Sequence, residues 1–132
     1  MNYLLDTNTC IYIINKKPAS VMKKIQNKKP EQVAISSITV AELEYGVARS
    51  KFPGRNRAAL TEFLVPFTIL DFDQAAASFY GVIRASLDQL GKPIGSMDLL
   101  LAAQARAQRL VLVTNNLKEF QRVEGLHLEN WI

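Results

Sequence analysis

Several common chemical groups are scarce in this sequence. Cys10 is its only cysteine, so no internal disulfide can form and nothing points to an oxidising compartment. With His127 as the only histidine, there is no His/Cys cluster for a zinc site, and we interpret His127 as a strand residue. Cys10 is interpreted as an apolar residue of the first helix, not as a nucleophile.

Long apolar runs and export signals are also missing. No run approaches the roughly 18 apolar residues of a membrane span. The first residues lack a basic segment followed by an apolar segment and a small-residue cleavage site, which argues against a secretory signal. We therefore expect a cytoplasmic protein with no membrane association.

The composition is that of one mildly basic globular domain. The 132 residues are 48% hydrophobic, and the net charge of +4 is compatible with a polyanionic partner. Six lysines lie in one stretch that contains no acid before Glu31. They either form a solvated helix face or contact phosphates, and both interpretations stay open. The six are Lys16, Lys17, Lys23, Lys24, Lys28 and Lys29.

Short apolar segments alternate with helix-like segments along the whole chain. The expected strands are Tyr3–Leu5, Val33–Ile35, Thr68–Leu70, Val111–Val113 and His127–Leu128. The expected helices run from Thr39 to about Ser50, Arg55 to about Leu64, Gln74 to about Leu90 and Ser96 to Arg109, with a short turn near Asn116. This alternation predicts a three-layer α/β/α domain spanning residues 1–132, with a mostly parallel central sheet of about five short strands.

Four of the twelve acids occupy similar places, close behind a strand or at the start of a helix. They are Asp6, Glu42, Asp98 and Glu119. Each has an ordinary explanation as a helix cap. Asp6 could cap the first helix, and Asp98 would complement the positive end of a helix dipole. The pairs Thr39–Glu42 and Asn116–Glu119 have capping-box spacing.

Their joint placement suggests a shared site as well. In a doubly wound sheet every strand-to-helix turn lies at the carboxyl edge, where ligands bind at the switch point. Carboxylates about 4 Å apart repel by roughly 4 kcal/mol at an effective dielectric near 20, and a divalent cation removes that repulsion. Oxygen ligands suit Mg²⁺ and Mn²⁺. An acid-held metal beside a basic surface indicates phosphodiester chemistry.

Four segments, in this order and spacing, resemble the PIN-domain ribonucleases, and more closely the VapC toxins of bacterial toxin–antitoxin pairs. The likeness spans essentially the whole chain, including the ending GLHLENWI. The segments are LLDTNTCIYII at 4–14, ISSITVAELEYG at 35–46, GKPIGSMDLLLAAQA at 91–105 and LVTNNLKEF at 112–120.

The resemblance implies an endoribonuclease that uses Mg²⁺ or Mn²⁺, with Asp6, Glu42 and Asp98 as its first three acids. Many relatives carry a fourth acid in the place of Asn116. Here we expect Asn116 to bind through its amide or through water while Glu119 supplies the remaining charge. The groups expected to orient these carboxylates are Thr7, Asn8, Thr114 and Asn116.

The resemblance also implies partners. They are structured RNA, often tRNA near the anticodon, a second copy of the chain in a homodimer, and a cognate antitoxin that inserts a segment across the active-site groove. The TNTC, ISSIT and TNN segments are similar to a branch associated with initiator tRNA. The regions Tyr12–Ile14 and Glu44–Arg57 either contact the antitoxin or face the core. Side chains that could guide the RNA backbone are Lys16, Lys17, Arg49, Lys51, Arg55 and Arg57.

Three other functions remain as alternatives. A haloacid-dehalogenase-like phosphatase needs a second Asp two residues after Asp6, where this chain has Asn8. A receiver domain needs an acidic pair beside its Asp and a lysine after its last strand, which are not evident. A non-catalytic RNA- or partner-binding relative would tolerate loss of the three principal acids, and all three are intact.

Overall fold

The computed structural model describes residues 1–132. A parallel sheet runs through the middle of the molecule. Its strands are β1 (Tyr3–Leu5), β2 (Val33–Ser36), β3 (Thr68–Leu70), β4 (Val111–Val113) and β5 (Leu128–Glu129). The helices are α1 (Thr7–Ile14), α2 (Ala19–Gln26), α3 (Ser37–Ala48), α4 (Pro53–Leu64), α5 (Gln74–Gln89), α6 (Ser96–Gln108) and α7 (Leu117–Phe120), with a 3₁₀ turn at Pro30–Gln32. None of these helices is both long and apolar enough to cross a membrane.

The strand order is β3-β2-β1-β4-β5, and every neighbouring pair is parallel. From β1 the chain first builds towards β3 and then returns to place β4 on the other side of β1. The order therefore reverses between β1 and β4, which makes the crevice beyond their carboxyl ends the switch point. The predicted α/β/α class with a parallel five-stranded sheet is confirmed.

Two hydrophobic cores cover the two faces of the sheet, because successive strand residues point to opposite sides. Leu4 packs with Leu112 against α5 and α6, whereas Leu5 packs with Val113 against α1 to α4. All four side chains are fully buried. The second core also contains Cys10, which is buried on α1, as expected of an apolar helix residue.

Helix starts account for the main differences from the sequence predictions. β2 extends to Ser36, whose Oγ accepts a hydrogen bond from the backbone N of Ile38 at 3.0 Å and so caps α3. The helix therefore begins two residues earlier than predicted. The Thr39–Glu42 capping box is wrong, because Thr39 is already inside the helix and Glu42 lies in its second turn. The proposed cap at Asp6 is confirmed, since its Oδ1 accepts from Thr9 N at 2.8 Å.

The last strand and the lysine-rich segment also differ in detail. β5 is shifted by one residue from the prediction, so His127 lies just before the strand and only its carbonyl joins the sheet, accepting from Leu112 N at 2.9 Å. Between α1 and β2 the chain forms α2, for which the sequence suggested a helix face without bounds. Lys23 and Lys24 occupy its last turn and are exposed.

The cap of α5 offers a test of the fold that does not involve the acids of the sheet edge. Asp73 Oδ1 accepts from Ala76 N at 2.9 Å, and replacing Asp73 with Ala should cost about 1 kcal/mol of unfolding free energy. Thermal unfolding should show a loss of a few degrees. The control Asp71→Ala, two residues earlier and outside any cap, should melt as the wild type does. Equal melting temperatures for the two variants would contradict the cap.

Candidate active site

Asp6 lies at the switch point, immediately after β1. Its backbone N donates to the carbonyl of Val113 on β4 at 3.0 Å, and its Oδ1 is held by Thr9 N. The residue is only 5% exposed. The sheet and the first turn of α1 therefore fix a buried carboxylate between β1 and β4, and its Oδ2 has no donor within the protein.

Glu42 reaches the same edge from α3. The hydroxyl of Thr7, the first residue of α1, donates to Glu42 Oε1 at 2.6 Å. This contact ties α1 to α3 across 35 residues of sequence and gives Thr7 the orienting role that the sequence predicted. Asn8 is exposed, and its side chain makes no hydrogen bond to any of the acids.

Glu119 is held at both oxygens. Its Oε1 accepts from the backbone N of Gly95 at 2.6 Å, and its Oε2 accepts from Asn116 Nδ2 at 2.6 Å. Asn116 is in turn held by Thr114, whose Oγ1 accepts from Asn116 N at 2.9 Å. The side chain of Asn116 therefore does not cap α7, which corrects the capping-box interpretation of Asn116 and Glu119.

Asp98 lies in the first turn of α6, where the sequence placed it, and it shares a hydrogen bond with Glu119. Burial, together with the negative charges of Glu119, Asp6 and Glu42, raises the pKa of Asp98 from 3.8 to about 7. Below that pH, Asp98 is the protonated member of the Asp98–Glu119 pair. The other three predicted acids thus all act on Asp98 at this edge of the sheet.

The pKa of Glu119 moves the other way. Burial alone would raise it, but the hydrogen bonds from Gly95, Asn116 and Asp98 outweigh burial and hold the pKa below its usual value. The charge of Arg122 acts in the same direction. Arg122 also donates to the carbonyl of Pro93 at 2.7 Å, which attaches the segment after α7 to the loop before α6.

The residues fit a hard divalent cation by their chemistry. As they stand, no three His, Cys, Asp or Glu side chains form a group that could hold a metal ion. Mg²⁺, however, usually retains several waters and is bound in proteins through one or two carboxylates, so a closed cage is not required. The available donors are carboxylate oxygens, with no histidine among them; the Cys10 thiol near Asp6 is fully buried, and burial together with the charge of Asp6 raises its pKa, which disfavours the thiolate form that binds metals. The raised pKa of Asp98 reflects burial and nearby negative charge, which a cation would neutralise.

A groove of about 520 Å³ opens beside these acids between α1, α3 and α4. Thr7 and Glu42 line it together with apolar side chains that include Ile11, Ile14 and Leu60. The groove therefore exposes Glu42, one of the four acids, and the Thr7 that holds it beside an apolar surface.

The predicted basic side chains are distributed unevenly around this groove. Arg49 lines it and lies over the ring of Tyr45, with 5.4 Å from its guanidinium carbon to the ring centre. Arg57 forms an ion pair with Glu44, so its charge is partly neutralised. The other candidates are exposed side chains: Lys51 and Arg55 near the ring of Phe52, and Lys16 and Lys17 after α1.

Three contacts of the site were missed by sequence reasoning. Gly95 contributes a backbone amide, which no side-chain motif announces. Arg122 acts through a carbonyl in a neighbouring loop, and the Tyr12 hydroxyl accepts from Asn115 Nδ2 at 3.0 Å across 103 residues of sequence. Only the position of Gly95 directly before the Ser96 helix start offered a signal, as an N-cap glycine.

Comparison with known proteins places this arrangement in a family. The model of the family described as PIN domain matches residues 3–126. The chain is 45% identical over 132 residues to Ribonuclease VapC2 of Haemophilus influenzae, covering 100% of this chain and 99% of that protein. It is 44% identical over 131 residues to the tRNA(fMet)-specific endonuclease VapC of Shigella flexneri, covering 99% and 98%. A solved structure of VapBC2 from Rickettsia felis, bound to a DNA fragment from their promoter, contains a chain that matches with a TM-score of 0.91 at 45% identity, covering 100% of both.

The burial of Asp98 and the negative charges around it predict that Asp98→Asn stabilises the metal-free protein at high pH. The pKa of Asp98 is about 7 in the folded protein and near 3.8 in the unfolded chain. Between pH 3.8 and about pH 7 the folded state therefore keeps a proton that the unfolded state has lost. The stability that Asp98 contributes to the wild type therefore falls as pH rises from about 4 to about 7 and stays low above it. Asn cannot ionise, so the variant should melt like the wild type at pH 4 and be more stable by about 1–2 kcal/mol at pH 8, a modest figure because the group is only half-buried.

The measurement is thermal unfolding in a chelator across this pH range, with Asp88→Asn on the exposed face of α5 as the matched control. The control should show no pH-dependent difference from the wild type. If Asp98 served only the dipole of α6, its substitution would instead lower stability by about 0.3–1 kcal/mol at pH 8.

Proposed function

This chain belongs to the PIN-domain family, and we propose that it is a metal-dependent endoribonuclease of the VapC type, the toxin of a type II toxin–antitoxin pair. The observation that supports the proposal is that Asp98 lies close enough to Glu119, Asp6 and Glu42 for their charges to raise its pKa, at the switch point of the sheet. The relatives named as ribonucleases support the activity, since the likeness to them covers the whole chain. Structured RNA is the proposed substrate class, and such an enzyme would act in the cytoplasm.

Asp6, Glu42 and Asp98 are the residues that would hold Mg²⁺ or Mn²⁺, with Glu119 adjoining Asp98. Such an ion, when bound, lowers the pKa of an attacking water and neutralises charge on the phosphate. The protein's own part is to keep the carboxylates in place before substrate arrives. Thr9 N fixes Asp6, and the Thr7 hydroxyl fixes Glu42, so neither side chain has to be ordered during the reaction.

We propose hydrolysis with the 3′ oxygen as leaving group, which gives a 5′-phosphate and a 3′-hydroxyl. Initiator tRNA is the first substrate to test, because the relative from Shigella flexneri is named for tRNA(fMet). The ribose 2′-hydroxyl takes no part in this reaction. The acids, and not a histidine pair, are the groups available for it, since His127 is an exposed residue beside β5.

The groove between α1, α3 and α4 is the proposed docking place of the cognate antitoxin. Ile11 and Tyr45 are large apolar side chains that remain exposed at this groove, and Thr7 and Glu42 lie within it. A segment bound there would cover Glu42, one of the four acids. The homodimer expected from the resemblance remains part of the proposal.

The catalytic role of the acids is tested with purified protein, initiator tRNA and Mg²⁺. Asp6→Asn should lower the cleavage rate by more than the roughly 10- to 100-fold typical of a lost supporting contact. Asn is itself a good N-cap, so α1 should stay intact and melting should change little. Asp88→Asn is the matched control and should cleave at the wild-type rate.

End-group mapping of the same products tests the direction of cleavage. New fragments should carry 5′-phosphates that allow ligation without prior kinase treatment. A 2′,3′-cyclic phosphate would contradict the proposed hydrolysis, and undiminished cleavage by Asp6→Asn would contradict the acidic site.

RNA contact at the groove is tested by replacing each of two similar arginines with alanine and comparing the effects on tRNA binding. Arg49 lies over Tyr45 on α3 beside the acids, whereas Arg84 lies over Tyr80 on α5, which packs on the other face of the sheet. Arg49→Ala should weaken binding of uncleaved tRNA by the Asp6→Asn protein and lower the salt slope by about 1. Arg84→Ala should leave both unchanged, and equal effects of the two substitutions would contradict a specific path along the groove.

A further inference from the structure

Glu119 is the most constrained of the four acids. Both of its oxygens accept hydrogen bonds at 2.6 Å, one from the backbone of Gly95 and one from the side-chain amide of Asn116. Asp6 and Glu42 each receive one such bond. The double hold fixes both the position and the rotation of the Glu119 carboxylate beside Asp98.

Asn116 is mounted on the end of the sheet. Its backbone N donates to Thr114 Oγ1 at 2.9 Å, and Thr114 is 1% exposed directly after β4. The backbone N of Thr114 donates to the carbonyl of Glu129 on β5 at 2.9 Å. A donor attached in this way has little freedom to follow a moving carboxylate, so it can hold Glu119 in a defined place.

Glu119 passes this restraint on to the helix that carries Asp98. Gly95 is the N-cap residue of α6, and its carbonyl accepts from Leu99 N at 2.9 Å. Asp98 lies three residues after Gly95, in the first turn. The hydrogen bonds therefore run without interruption from β4 through Asn116 and Glu119 to the start of α6.

Only a neutral donor suits position 116 in this chain of contacts. An acid there would place two carboxylate oxygens, both acceptors, at the distance that a hydrogen bond now occupies, and they would repel. An alanine would leave Glu119 Oε2 without its donor. The pair is reversible in principle, because a Gln at 119 could donate to an Asp at 116 and still accept from Gly95 N.

We propose that Asn116 is a positioning residue of the nuclease site, which acts through Glu119 to hold the start of α6, and with it Asp98, in the arrangement that the reaction needs. This inference rests on the proposed function. Of the two roles that the sequence analysis expected for Asn116, binding the metal or orienting the carboxylates, it chooses the second, and it names Glu119 as the carboxylate and the start of α6 as what is held.

A double-mutant cycle between Asn116→Ala and Glu119→Ala tests whether one residue acts through the other. Asn116→Ala should lower kcat by about 10- to 100-fold with little change in KM. In the Glu119→Ala background the same substitution should cause no further loss of kcat. If the double variant is still active and its loss of kcat is the product of the two single losses, the proposal is overturned, because Asn116 then acts independently of Glu119.

The melting temperature of the metal-free protein provides a readout that does not depend on nuclease activity. Asn116→Asp should lower it, and the exchange Asn116→Asp with Glu119→Gln should restore it, since the hydrogen bond is remade with its donor and acceptor reversed. The matched control is Asn115→Asp, which adds the same charge one residue away on a side chain that contacts Tyr12.

The two readouts separate the possible failures. Equal melting temperatures for Asn116→Asp and Asn115→Asp, or no recovery in the exchange variant, would overturn the contact itself. A wild-type protein that melts as expected but cleaves no RNA would overturn the proposed function, and the positioning role with it. The inference would be supported if the exchange variant recovers its stability and the double variant loses no more kcat than Glu119→Ala alone.

Discussion

Negative charge gathered at one edge of a parallel sheet is the constraint on which the rest of this structure depends. Asp6 at the end of β1, Glu42 on α3 and Glu119 on α7 all act on Asp98 at the start of α6, and burial together with their charges raises the pKa of Asp98. Three of the four acids have fixed donors: Thr9 N for Asp6, the Thr7 hydroxyl for Glu42, and Gly95 N with Asn116 for Glu119. The fourth, Asp98, keeps a proton instead. The site is therefore an unfavourable arrangement of charge that hydrogen bonds from the surrounding fold maintain.

The sheet supplies the rigidity for this arrangement. Its central strands are buried on both faces, and residues of β1 are paired directly with residues of β4, so that Leu5 is opposite Val113. The next residue of each strand, Asp6 and Thr114, therefore emerges at the same level. One provides a carboxylate, and the other anchors the backbone of Asn116. A shift of register between the strands would separate these two groups, so the cores on both faces position the acids indirectly.

The strands and the acids could both be located from the sequence, because the apolar pattern that marks a buried strand also shows where that strand ends. Short, continuously apolar segments such as Val111–Val113 are typical of strands buried on both faces of a sheet, and an acid that directly follows such a strand lies at its carboxyl edge. Helix starts were harder, because Ser36, Ser37 and Thr39 are all able to cap, and the extension of β2 to Ser36 decided between them. The Gly95 amide could not be foreseen, because every residue except proline carries the same group. Its importance appears only when the fold brings α7 against it.

The groove and the acids share residues, and this has a consequence for the proposed regulation. Glu42, one of the four acids, and Thr7, whose hydroxyl is the donor that holds it, both line the groove. A segment lying in the groove would therefore touch the Thr7–Glu42 pair directly, without any change of conformation having to travel through the protein. RNA directed by Arg49 would approach the same pair from the same side. In the proposed arrangement substrate and antitoxin would compete for one surface, so that inhibition would follow from occupancy alone and would end when the antitoxin segment leaves.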